Sequence, residues 1–98
     1  MPSRWRSFAP SSLPASGGVY VVTYSGAGPG RKPVAYVGFS QNVRQRFTGH
    51  RAYPPWGVHV TGRITVHVSQ CRRWGEGLMR EAQLIRRLQP WANTRGKN

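Results

Sequence analysis

Gly18-Val19-Tyr20-Val21-Val22-Thr23-Tyr24, then Ser25-Gly26-Ala27-Gly28-Pro29-Gly30-Arg31-Lys32-Pro33, then Val34-Ala35-Tyr36-Val37-Gly38-Phe39, decide how this chain folds. The outer runs are β-branched and aromatic, which is the composition of strands. The middle run holds three glycines and two prolines, which is the chemistry of a turn or loop. Together they read as a hairpin. Strand side chains alternate faces, so Val19 and Val21 are expected on one side and Tyr20 and Val22 on the other.

Outward from the hairpin, Ser40 is placed to cap a helix over 41–50, with Val43 and Phe47 as its apolar stripe. Asn42, Arg46 and His50 fall at i, i+4 and i+8 and form a second stripe. Residues 51–62, with Pro54-Pro55 and Trp56-Gly57, read as a loop. Arg63 to Val68 alternates as a third strand, with Ile64, Val66 and Val68 on one face. A last helix is expected over 76–88, with Leu78, Ala82, Ile85 and Leu88 as its buried stripe. Glu81 shares a flank with Leu84 and Leu88, at the border of that face. Pro90 ends the helix, and Trp91-Ala92-Asn93 follow as an extended tail. Residues 1–16, rich in Pro and Ser and without period, read as an irregular basic arm carrying Arg4 and Arg6, with Trp5 and Phe8 expected to pack on the core, the alternative being to stack on a base. Residues 17–93 form the domain, and 94–98 a basic tail. The fold class is α/β of the α+β type: a small mixed, largely antiparallel three-stranded sheet flanked by helices.

The chain has 98 residues and a formal net charge of +13, from 15 Lys and Arg against 2 acids. That is one domain's length. So large a positive charge favours a polyanionic partner, of which nucleic acid is the commonest. All but two of the cations are Arg, whose forked guanidinium suits phosphate. No apolar run approaches the roughly 20 residues of a membrane helix, and no basic amphipathic helix or secretory leader is read, so no membrane partner is expected. Cys71 is the only cysteine, which excludes an internal disulfide and a cysteine-based zinc cluster and fits a reducing cytoplasm. The spacing of His59, His67 and Cys71 matches no zinc pattern, and neither a Walker loop nor a hydrolase elbow occurs.

Carboxylates are so scarce that Glu76 and Glu81 carry all of them. One carboxylate plus a substrate phosphate can hold Mg²⁺, which keeps several waters, whereas a two-metal centre would lack ligands. Taken singly, Glu81 is also an ordinary helix surface residue, Tyr20 and Tyr36 are ordinary strand residues, His50 is unremarkable, and Arg46 suits a simple phosphate contact. A phenol is a poor base unless positive charge lowers its pKa, and an Arg-rich cleft supplies such charge.

The ordered set Gly18-Val19-Tyr20, Tyr36-Val37-Gly38, the stretch YVGFSQNVRQRFTGH (36–50) and the stretch EAQLIRRLQPWAN (81–93) resembles the GIY-YIG nuclease family over 18–93. The resemblance implies a GIY-YIG fold and a DNA endonuclease that hydrolyses phosphodiester bonds with a single Mg²⁺, for which Mn²⁺ can substitute. It implies Glu81 as the metal ligand, Tyr20 as general base, Tyr36 as its assistant, Arg46 as the stabiliser of phosphate charge, His50 as a second phosphate or water contact, and Asn93 as an ordering residue. The products would be a 5′-phosphate and a 3′-hydroxyl. The loop between the cassettes is longer than the family often shows, and its Arg31 and Lys32 are expected to touch substrate. Ser40, Asn42, Arg44, Arg51, Arg72 and Arg73 are the other expected nucleic-acid contacts. With only a basic tail after Asn93, selectivity is expected from the chain's own surface, from a homodimer or from a partner protein. Branched or junction DNA, including the Holliday junction, ranks ahead of a specific sequence. The family's small stand-alone domains suggest repair, recombination or a mobile element such as a phage. The competing expectation is a non-catalytic nucleic-acid-binding module on the same scaffold.

Overall fold

The computed structural model describes residues 5–27, 33–52, 54–56, 60, 62–90 and 92–93. Its strands are β1 (Arg6–Phe8), β2 (Gly18–Tyr24), β3 (Val34–Ser40) and β4 (Ile64–Gln70), and its α-helices are α1 (Val43–Ala52) and α2 (Trp74–Leu88). The strands form one sheet in the order β1-β4-β2-β3. Among the described residues the sheet has four strands and not the expected three, and every pairing is antiparallel, so it is not mixed.

The extra strand comes from the arm expected to be irregular. Arg6, Ser7 and Phe8 pair with Val68, His67 and Val66. Three residues are too short to show a period, and the edge of β4 supplies the template. Ser7 Oγ lies 2.8 Å from His67 Nδ1, while His67 Nε2 lies 3.0 Å from Thr23 Oγ1, so one imidazole bridges hydroxyls on β1 and β2. Phe8 packs against the core as expected, whereas Trp5 stays exposed.

Strand β2 is buried almost throughout because both faces of the sheet are covered. On one face Tyr20, Val22, Val66 and Val68 pack with Val43 and Phe47 of α1, Leu13 and Trp56. On the other, Val19, Val21, Val37 and Phe39 pack with Leu84, Ile85 and Leu88 of α2 and with Cys71. The alternation read from the hairpin therefore holds. Each face removes its apolar side chains from water, at roughly 25 cal/mol per Å² of apolar area buried.

Helix α1 begins two residues later than expected, and its cap is Asn42, not Ser40. Asn42 Oδ1 accepts the N–H of Gln45, three residues on, at 3.0 Å. Ser40 Oγ instead accepts the Asn42 N–H at 3.1 Å and donates to the Asn42 carbonyl at 3.0 Å, shaping the entry to the helix. The first-turn N–H groups of Val43 and Arg44 reach back to the carbonyls of Ser16 and Pro14.

Helix α2 keeps Ile85 and Leu88 of the expected stripe on the core but not the other two residues. Leu78 is 40 % exposed and Ala82 is exposed, while Gly77 is buried beneath the Phe39 ring. The packed face is Gly77, Glu81, Leu84, Ile85 and Leu88. A Cβ at position 77 would overlap the Phe39 ring, so this glycine allows α2 to lie close to the sheet. The helix ends in left-handed Gln89 (φ 49°), whose N–H donates to the Ile85 carbonyl, and Pro90 follows.

Candidate functional site

Tyr20 and Tyr36 share a sheet face because β2 and β3 pair with Tyr20 opposite Gly38 and Val22 opposite Tyr36. The glycine of the second cassette follows from that register. A Cβ at position 38 would overlap the Tyr20 phenol, so only glycine leaves room for the ring. Gly38→Ala is therefore expected to cost about 1–3 kcal/mol by overpacking. Urea denaturation of the variant beside the wild type checks this, and an unchanged midpoint would contradict it.

Over the tyrosine pair lies His50, carried by the last full turn of α1. Its ring centroid is 5.9 Å from Tyr20, 5.3 Å from Tyr36, 5.8 Å from Phe47 and 5.7 Å from Trp56. Tyr20 Oη lies 2.7 Å from His50 Nε2 in a buried hydrogen bond. Burial, reinforced by the Arg46 charge, pushes the His50 pKa down to about 4, so the ring is neutral at pH 7. A neutral imidazole has one acceptor nitrogen and one N–H, so Nε2 can receive the Tyr20 proton when Nδ1 carries the ring's own.

The phenols are pushed up from their ordinary values. For Tyr20 burial dominates, the neighbouring Tyr36 adds to it, the Arg46 guanidinium opposes it through its charge and hydrogen bonding, and the Glu81 carboxylate raises it further. For Tyr36 burial again leads, with Arg46 opposing and Glu81 adding. Arg46 and Glu81 are thus both close enough to act on the two hydroxyls, one from α1 and one from α2. Arg46 is exposed and Glu81 half-buried. The structure gathers Tyr20, Tyr36 and His50 into one cluster and sets Arg46 and Glu81 within electrostatic range of its phenols.

The sixth residue expected to carry chemistry, Asn93, holds the scaffold. Its Oδ1 accepts the Val37 N–H at 2.7 Å and its Nδ2 donates to the Val37 carbonyl at 2.8 Å. β3 is an edge strand, and one amide side chain stands in for a missing strand partner next to Tyr36.

The expected nucleic-acid contacts are dispersed. Ser40 and Asn42 are used at the start of α1, yet both line an open groove with Arg46. Arg44 is exposed and gives its Nε–H to the Leu13 carbonyl at 2.7 Å. Arg72 and Arg73 are exposed ahead of α2. Arg31, Lys32 and the Arg51 side chain lie outside the described residues, as does His59.

A hard cation fits the donor set. The cluster offers one carboxylate and phenolic oxygens, while its imidazole is engaged with Tyr20. Among the described residues no three His, Cys, Asp or Glu side chains gather into a metal cage. An ion here would rest on Glu81 and take its remaining ligands from water and substrate, as Mg²⁺ readily does. Cys71 is buried, with its thiol 3.5 Å from the Arg73 carbonyl.

Two aromatic residues beside the cluster escaped the sequence reading. Trp56 packs on Tyr36, Phe47 and His50, and its only signal was an apolar residue after two prolines. Trp74 opens α2 and packs on Phe39. Among the described residues no helix is long and apolar enough to cross a membrane.

The fold and site define a small antiparallel α+β domain with a buried Tyr–His pair flanked by an arginine and a carboxylate. Compared with family models, with curated proteins and with solved structures, the chain matches none.

Proposed function

We propose that this chain is a DNA endonuclease of the GIY-YIG type, acting on branched or weakly selected DNA in repair, recombination or a mobile element. The observation that carries the reading is the cluster of Tyr20, Tyr36 and His50 from β2, β3 and α1, with Tyr20 bonded to a neutral His50 and with Arg46 of α1 and Glu81 of α2 in electrostatic range of the phenols. A basic binding module needs guanidinium groups on its surface and has no use for a buried phenol–imidazole pair within electrostatic range of a carboxylate. The +13 charge supplies the attraction to DNA.

Mg²⁺ held by Glu81, with Mn²⁺ as a substitute, would neutralise charge on the scissile phosphate and offset the carboxylate that raises both phenols. The chain's own residues then account for the proton. Tyr20 Oη accepts a proton from the attacking water as its own passes to His50 Nε2. The new P–O bond forms as the bond to the 3′ oxygen breaks, leaving a 5′-phosphate, and the departing oxygen takes a proton from solvent. Tyr36 holds the water in place. Arg46, exposed beside both hydroxyls, faces the charge that builds on phosphate. Asn93 fixes the strand that carries Tyr36.

The chemistry of the ends tests this route. A nick made by the protein is expected to be sealed by a DNA ligase without prior phosphorylation. Ends that must first be phosphorylated would mean that a different P–O bond breaks.

A further inference from the structure

Trp74 is 56 % exposed at the first residue of α2, where a large apolar ring is left facing water. It packs T-shaped on Phe39 at 5.5 Å, and Phe39 is itself buried and seated on Gly77. The indole is therefore mounted on a fixed base. It forms one wall of an open groove of about 500 Å³, whose other walls include Asn42, Gln45, Gly49 and Arg46. Nothing within 4 Å would meet a Cβ at Gly49, so that side of the groove is clear. Arg46 belongs both to this groove and to the charge environment of Tyr20 and Tyr36.

We infer that this groove receives one unpaired nucleobase next to the phosphate that is cut, stacked on Trp74. The inference rests on the nuclease reading above and names the feature by which the site selects its substrate. Arg46 puts a cation where the phosphate would lie, so a strand entering there carries its next base toward the indole. A groove of this size admits a planar base, and Asn42 and Gln45 place amides at its edge. Inside a duplex both faces of a base are covered by neighbours. Stacking on Trp74 requires a base already freed at a branch, flap or single-stranded end, which turns shape into selectivity without sequence readout.

The test is a binding titration in EDTA, where the reading expects no cutting, using flap DNA and plain duplex with wild type, Trp74→Ala and Trp74→Phe. A series of flaps carries a single abasic site at successive positions flanking the branch. Trp74→Ala is expected to weaken flap binding about 5- to 100-fold. Duplex binding should stay within about twofold, and Trp74→Phe should keep most of the affinity. At one position the abasic site should weaken the wild type by a similar factor and leave Trp74→Ala unaffected, because both changes remove one stack. Equal losses on flap and duplex, or no position that couples to Trp74, would overturn the inference and leave the nuclease reading standing. Self-association of the wild type in sedimentation that Trp74→Ala abolishes would overturn it too, by giving the indole to a second copy. Absence of DNA binding by the wild type would sink both.

Discussion

Glu81→Gln is expected to abolish cleavage, lowering the rate by about 10³-fold or more, since the ion we propose it holds would be worth several kcal/mol in the transition state. DNA binding should be equal or tighter, because the change removes a negative charge from the path of the phosphate. Glutamine keeps the shape of the side chain on the packed face of α2, between Gly77 and Leu84, so the fold should survive. Rates on a branched substrate in Mg²⁺ and affinities in EDTA separate the two effects. Activity within tenfold of wild type would remove Glu81 from the metal site.

Tyr20→Phe is expected to slow the reaction by about 10²–10⁴-fold, the usual worth of a positioned general base. The variant also leaves His50 Nε2 buried without its partner at 2.7 Å, which costs roughly 1–3 kcal/mol of stability. Single-turnover rates measured well below the unfolding midpoint keep the chemical loss apart from the stability loss. Tyr36→Phe is the comparison, since Tyr36 is half-buried and its proposed role is to hold the water. Full activity of Tyr20→Phe would take the phenol out of the proton path, whatever its effect on stability.

Both experiments concern residues that were legible before any coordinates. Period-two alternation in the hairpin put Tyr20 and Val22 on one face, and the pairing of β2 with β3 adds Tyr36 to it. The helical spacing of Val43 and Phe47 was enough to bury that side of α1. Arg46 and His50 lie one turn apart and reach the same pair of hydroxyls, although one is exposed and the other buried. Glu81 was placed at an apolar border and is found half-buried on the packed face.

The misreadings have physical causes. β1 owes its conformation to pairing with β4, and Arg6-Ser7-Phe8 alone carries too few residues to show a strand. On α2 the apolar period is broad enough to fit two overlapping stripes. The choice fell to Gly77, whose missing side chain accommodates Phe39, and Leu78 and Ala82 were turned outward. Ser40 and Asn42 are both good capping residues, and only the position at which the helix begins decides between them. Trp56 and Trp74 gain their meaning from β3, through Tyr36 and Phe39, which no local pattern brings near.

The central claim is that the Tyr20–His50 pair, Arg46 and Glu81 form a cutting site. Its most direct test is incubation of the wild-type chain with end-labelled duplex, single strand, flap and four-way junction, in Mg²⁺ and in EDTA. Products that appear only with Mg²⁺, and most rapidly from the branched substrates, are the expected result. Tight binding to every substrate with no product in either condition would contradict the claim and make this a basic nucleic-acid-binding module.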